Sequence, residues 1–261
     1  LVGNMYSNPF IESSAELIIF DVTGDSHSAI NGYTEIFGPE SDFILANRHG
    51  ISINGGGFIN VRDAVLTTGE VDFFDNNVSV SIDGGHIQIG EKGLDASDTE
   101  SLTMASRSLS VDGPVIGGDS LDMIMGLNEL DLDTREIVTQ ETVFDDPGIA
   151  IDGTENGLFV AGAIEIVSTE KGAGVYSQSD FYGTSDSITL DVNGHLSMNS
   201  VYSEQNISLH ASGSLEKTGD TIAHDSVSIK SGQDVFIEGP NMIASQIDVK
   251  SEGDVFLSTD E

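Results

Sequence analysis

The 261-residue chain contains no cysteine, which removes disulfides, cysteine-based zinc sites and thiol nucleophiles together. That absence does not by itself indicate the cytosol. It equally suits a chain that must stay unfolded and uncrosslinked while crossing an oxidising compartment. No apolar run approaches the roughly 18 residues that a membrane-spanning helix needs. Basic residues are scarce, 9 against 44 acidic ones, for a formal net charge of −35. Such a field repels phosphate backbones and anionic lipid, so direct nucleic-acid binding is excluded as a working reading. The plain use of the charge is solubility, with divalent-cation binding as the alternative. The opening residues, LVGNMYSNPF, hold neither an initiator Met nor a basic region followed by an apolar one. The expectation is an excised piece whose signal peptide is missing or already removed.

A repeat is plain in the C-terminal third. NISLHASGSL begins at Asn206, SVSIKSGQDV at Ser226 and QIDVKSEGDV at Gln246, with starts 20 residues apart. In each unit an alternating apolar pair (Ile207 and Leu209; Val227 and Ile229; Ile247 and Val249) is followed six residues later by another apolar residue: Leu215, Val235 or Val255. SITLDVNGHL, from Ser187, fits the same template with Ile188, Leu190 and Leu196, offset by 19. Strand alternation with a turn-forming residue near each corner, repeated at this period, belongs to a solenoid. Leucine-rich repeats need a Leu-x-x-Leu-x-Leu run that is absent. The fold expected is all-β: a right-handed parallel β-helix whose ~20-residue rungs stack ~4.8 Å apart, with Ile, Val and Leu inward. The chain stops just after a strand, and an uncapped end would expose ladder groups, so a continuation beyond Glu261 is expected.

The middle is less regular. Val78–Gly90 reads as two strands across an Asp-Gly-Gly corner, and Ser101–Gly118 and Leu158–Ser177 read alike. Leu121–Val138 fits neither the helical nor the strand period cleanly and holds Gly126; it is expected to form strands, as a β-hairpin projecting from the solenoid. Asp145-Asp146-Pro147-Gly148 is a turn. Phe73 and Phe74 are expected in the core or stacked, with a partner-binding patch as the lesser reading.

The densest stretch is Asp42–Gly69, DFILANRHGISINGGGFINVRDAVLTTG, where tight turns and a glycine triplet separate three short apolar runs. It resembles the hallmark of the two-partner secretion domain of filamentous-haemagglutinin-like exoproteins, which include adhesins, haemolysins and contact-dependent growth inhibition proteins. That hallmark is an Asn-Pro-Asn-Gly-Ile element, an Asn-Gly-Gly-Gly-Phe-Ile-Asn-like run, and Leu-Thr-Thr-Gly. Asn47, Gly50 and Ile51 match the first element. Asn54, Gly55, Gly57, Phe58, Ile59 and Asn60 match the second, and Leu66, Thr67, Thr68 and Gly69 the third. Arg48 and His49 depart from it, and upstream only Gly3 and Asn4 answer to the family's earlier Gly-Asn element.

The resemblance implies a non-enzymatic N-terminal secretion module of a large exoprotein. It would be recognised by an outer-membrane TpsB-type β-barrel transporter and exported unfolded through the periplasm. At the bacterial cell surface it would fold into a β-helix stalk for adhesion, haemolysis or contact-dependent inhibition. It also implies that Asn47, Gly50, Ile51, Asn54 and Asn60 serve transporter recognition and folding nucleation, while the plainer reading of Asn47 is a side-chain amide that holds a β-helix corner, the two roles not being exclusive. Residues 1–180 would form the secretion-type domain, and 181–261 the regular 19–20-residue repeats. The partners implied are that transporter and a host or neighbouring-cell receptor, with the chain itself a monomer and no cofactor or metal.

The alternative is a β-helix polysaccharide-active enzyme or tail-spike-like binding protein. Acidic pairs such as Asp131 and Asp133, or Asp145 and Asp146, invite it, because glycosidases work with paired carboxylates. Among 44 acidic residues such pairs are inevitable. An acidic cleft along consecutive rungs would favour this alternative; a smooth stack with extra hairpins would favour secretion. His49, His86, His195, His210 and His224 show no metal-ligand spacing and read as surface or corner residues.

Overall fold

The computed structural model describes residues 15–74, 77–140 and 148–258. In SVSIKS, alternation puts Val227 and Ile229 inside and leaves Lys230 in solvent. Such a strand has one apolar face and an unpaired backbone. It is completed by a similar neighbour stacked in register.

That is what the chain builds. Each turn of the solenoid contributes one strand to each of three parallel sheets, which hold ten, ten and nine strands among the described residues. In the first sheet Ile188, Ile207, Val227 and Ile247 lie in one register row, and Leu190, Leu209, Ile229 and Val249 in the next. Leu196, Leu215, Val235 and Val255 form the matching row of the second sheet. The alternating pair and the apolar residue six positions on therefore line two adjoining walls, and the 19- and 20-residue offsets are the lengths of single turns.

One continuous apolar column fills the interior. Most of its members are fully buried, and each such side chain contributes roughly 1.5–3 kcal/mol. Phe159 and Phe181 stack inside it with centroids 4.5 Å apart. The column is open at the last described turn, where Val255 is 45 % exposed against 0 % for Val235 below it.

Two insertions leave the first sheet, one after Thr67 and one after Met125. Their strands combine into a single four-stranded antiparallel sheet, in the order Ile137–Thr139, Asn128–Asp131, Asn77–Ser81, Glu70–Phe74. Val80 pairs with both Val71 and Leu130. Val80, Ile82 and Leu130 pack on Ala105 and Ile124, which face outward from the solenoid wall, as a second small core.

The expected hairpin is therefore real but shorter than Leu121–Val138. Ser120–Met125 belongs to the solenoid, paired with Ser101–Ser106, because Leu121, Met123 and Met125 continue the inward rows. The chain turns outward at Gly126, at φ 118°, and only Asn128–Thr139 projects. Val78–Gly90 likewise divides: Asn77–Ser81 joins the projecting sheet and His86–Ile89 the second wall. Phe73 is 58 % exposed, not in the core, since it lies on the edge strand of the projecting sheet, which has a neighbour on one side only. The Phe74 side chain, Gly3, Asn4 and the turn residues Asp145, Asp146 and Pro147 lie outside the described residues.

Candidate functional site: the corners of the second turn

The second turn comprises Ser41–Ala46, Ile51–Ile53 and Gly56–Ile59, one strand per wall. The five residues singled out by the sequence are spread around it, one group to each corner, and do not converge on one face.

The first corner is Asn47–Gly50. Gly50 N–H donates to Asn47 O at 2.9 Å, closing a four-residue turn. Asn47 is 1 % exposed and holds the corner from inside. Its Nδ2 donates to Ser26 O and Ser28 Oγ, each at 2.9 Å, tying this turn to the first one. Its Oδ1 accepts the His49 N–H at 2.9 Å, an Asx-type contact that fixes the turn locally. Gly50 sits at φ 105°, and a Cβ there would lie 2.9 Å from His86 O. Ile51 begins the next strand at 2 % exposure, between Ser28 and Ile87.

Arg48 and His49, the two departures from the hallmark, occupy the solvent side of this corner. Arg48 bonds Asp83 at 2.8 Å, and His49 lies 3.8 Å from Asp25. The turn closes through the Asn47 side chain and backbone alone, so it tolerates them.

At the second corner, exposed Asn54 accepts the Lys92 N–H at 2.9 Å, and Gly55 N–H donates to Gly93 O, also at 2.9 Å. Gly57 follows under the ring of Tyr33, where a Cβ would come within 2.4 Å of the ring and 2.7 Å of Asp95 O. The Tyr33 hydroxyl donates across it to Asp95 at 2.9 Å, and the bond to this carboxylate raises the Tyr33 pKa. Exposed Asn60 makes the third corner. It holds φ 58°, a left-handed conformation that Asn tolerates, and its Nδ2 donates to Ile36 O at 3.1 Å.

Leu66-Thr67-Thr68-Gly69 marks the exit from the solenoid into the first insertion. Thr67 and Thr68 are fully buried. Thr67 Oγ1 accepts the Gly69 N–H at 2.9 Å, and Thr68 Oγ1 donates to Gly84 O at 2.7 Å, drawing the two ends of the insertion together. His86 begins the returning strand. Its ring nitrogens sit 2.9 Å from Ser108 Oγ and Ser110 Oγ, and burial lowers its pKa.

Three charged residues escaped the sequence reading. Lys217 is fully buried inside the solenoid, in the inward row of Met198 and Ile237. Its Nζ donates to Thr218 O, Gly219 O and Asp220 O, and burial lowers its pKa to about 7, opposed by Asp220 and then Asp180. Strict alternation from Leu215 would have placed it. Arg107 and Glu170 form a two-pronged pair at 2.9 and 3.1 Å between elements 63 residues apart, for which no local signal exists. The hydrogen bond to Glu170 raises the Arg107 pKa.

A three-walled parallel β-helix, interrupted by insertions that build a separate sheet and turned by an asparagine–glycine signature, defines a β-solenoid protein. Residues 7–198 match the family model of the TPS secretion domain, and the chain belongs to that family. It is 31 % identical over 241 residues to the tRNA nuclease CdiA of Escherichia coli, covering 91 % of this chain and 7 % of that protein. It is 30 % identical over 259 residues to the tRNA nuclease CdiA of Yersinia mollaretii, covering 98 % of this chain and 9 % of that protein. The toxin CdiA of Yersinia pestis is 28 % identical over 223 residues, covering 84 % of this chain and 7 % of that protein. The chain thus spans under a tenth of the length of these relatives. The crystal structure of a filamentous hemagglutinin secretion domain shares the fold, with a TM-score of 0.71 over 97 % of this chain and 79 % of that one at 23 % identity.

Proposed function

We propose that this chain is the export-recognition and fold-initiating segment of a large surface exoprotein, read by an outer-membrane β-barrel transporter while unfolded. The observation that carries this is the disposition of the hallmark around a single turn. Asn47, Gly50, Ile51, Asn54 and Asn60 are dispersed once folded, and Asn47 and Ile51 are buried, yet they lie within 14 residues of each other in an extended chain. A receptor for all five reads a strand, not a surface.

Folding outside then proceeds turn by turn, since each turn contacts chiefly its neighbours, and burial of the Ile, Val and Leu rows biases threading outward. Residues 1–180 carry recognition and the first turns; residues 181–261 begin the stalk. The stalk's receptor lies on a host or neighbouring cell, and the toxic activities named for the relatives reside in parts of those proteins that this chain does not match.

The test is secretion of an Asn54→Asp, Asn60→Gly double variant from cells carrying a family transporter. The first substitution keeps a side-chain acceptor for Lys92 N–H, and the second places glycine where φ is 58°, so the purified variant is expected to refold like the parent. Secretion is expected to fall at least tenfold. Unchanged secretion would refute recognition by these asparagines. A second variant, with polar residues at Ile207, Val227 and Ile247, is expected to be recognised but to clear the membrane slowly.

A further inference from the structure

Between the projecting sheet and the solenoid wall lies a cleft of about 320 Å³. Its floor is the outward face of the first sheet, with Ile44 and Val65 from the second and third turns, Thr103 from the fourth, and Ile124 and Val167 from the fifth and sixth. Val78, Leu130 and Ile137 of the projecting strands close it from the other side. This volume lies at the lower end of the range for small-molecule sites, and the lining is half apolar and half polar or charged.

The polar part of the lining is one-sided. Asp42, Asp63, Asp122 and Glu165 come from the solenoid wall, and Asp131 and Asp133 from the hairpin, against a single cation among the described lining residues, Arg135. Arg62, beside the cleft, lies 2.7 Å from both carboxylate oxygens of Asp42. Arg135 is held at φ 60°, a strained value for arginine, and bonds Asp122. Asp131 and Asp133 are occupied by backbone N–H groups of the hairpin turn and of Val78. Glu165 makes no ion pair or hydrogen bond among the described residues. It pairs in register with Asp122, so two carboxylates stand side by side over the apolar floor. Burial and then the Asp122 charge raise its pKa, with the Arg135 charge opposing them. No group of three or more His, Asp or Glu among the described residues is arranged to hold a metal ion, so the missing positive charge is not matched by a metal cage.

We propose that the cleft binds a small organic cation with an apolar body, an alkylamine, arylalkylamine or guanidinium. The apolar part would lie on Val65 and Ile124, and the charged end against Glu165 and Asp63. Neutral and anionic molecules of the same shape would lose the charge complementarity and face net repulsion respectively. Arg135 competes with the ligand for the same carboxylates.

The probe is 4-phenylbutylamine, compared with 4-phenylbutanol and 4-phenylbutyrate, titrated into the whole chain and followed by methyl NMR and calorimetry. Saturable amine binding is expected, with methyl shifts centred on Val65, Ile124 and Val167, at least tenfold tighter than for the alcohol, and none for the carboxylate. Glu165→Gln, at an exposed position, is expected to weaken the amine at least fivefold without changing the fold. Arg135→Gln, which removes the internal competitor, is expected to tighten it severalfold. Equal affinity for amine and alcohol, or an unchanged affinity in Glu165→Gln, would overturn the proposal. So would non-saturating shifts scattered along the acidic solenoid.

Discussion

Lys217→Met isolates a cation placed inside the hydrophobic column. Met198 occupies the same inward row one turn earlier, so methionine fits without repacking. The unfolded chain keeps the Lys217 proton up to about pH 10.5, whereas the folded chain releases it at about 7. Between those values the unfolded state binds more protons, so stability rises with pH by up to ~1.4 kcal/mol per unit. Below pH 7 both states are protonated, and the full penalty of burying the ammonium is present. Its size is on the order of 5 kcal/mol as an upper bound. Donation to three corner carbonyls is already set against that burial, and methionine forfeits it, leaving those groups unpaired at roughly 1–3 kcal/mol in all. The variant is therefore expected to be more stable than the parent by ~2–4 kcal/mol at pH 6. The gap should close by pH 9–10, and then reverse slightly, because the neutral amine still donates where methionine cannot. Urea unfolding followed by circular dichroism at pH 6, 7, 8, 9 and 10 gives the difference directly, with the other titrating groups common to both proteins. A stability difference that stays flat over this range would refute the placement of a buried ammonium at this corner.

Asn47→Ala removes three hydrogen bonds from a buried corner and is expected to lose ~2–4 kcal/mol in urea unfolding, with faster hydrogen exchange at Ser28 and His49. Arg107→Ala leaves Glu170, whose side chain is 3 % exposed, without its guanidinium. A loss of ~3–5 kcal/mol at neutral pH is expected, partly recovered in the Arg107→Ala, Glu170→Gln double variant. Gly57→Ala drives a methyl into the Tyr33 ring and Asp95 O, and is expected to destabilise by ~1–3 kcal/mol. Adding Tyr33→Ala should relieve only part of that, since the Asp95 carbonyl remains.

The solenoid was legible because its register rows are written directly in the chain: Ile207, Val227 and Ile247 recur at the length of one turn and stack on each other. The early corners were legible as a resemblance, and the structure gives their physical content in the bonds of Asn47 and the tight approach over Gly57. The projecting sheet was only half visible. Its central contact joins Val80 to Leu130, 50 residues apart, across an antiparallel pairing that no local turn encodes. The boundary at Gly126 was hidden for a related reason, since Leu121–Met125 and Asn128–Asp131 both read as strands and only packing decides which wall each joins. Lys217 ran against the expectation that an inward position is apolar. The cleft depends on two elements that meet only after both insertions are complete.

That meeting has a consequence in time. The strand Asn77–Ser81 has one neighbour, Glu70–Phe74, from its own hairpin, and gains the other only when Asn128–Asp131 arrives. For a chain delivered from its N-terminus, the third turn is finished long before its ornament is. During that interval, on the proposed order of folding, an unpaired strand edge backed by Val80 and Ile82 would wait in the open while the fourth turn and the next strand are laid down. When the second hairpin docks, it spans those intervening turns like a staple across pages already stacked. From that point, unwinding the third turn would require tearing away the fifth, so an assembly built one turn at a time acquires a step that does not easily run backwards.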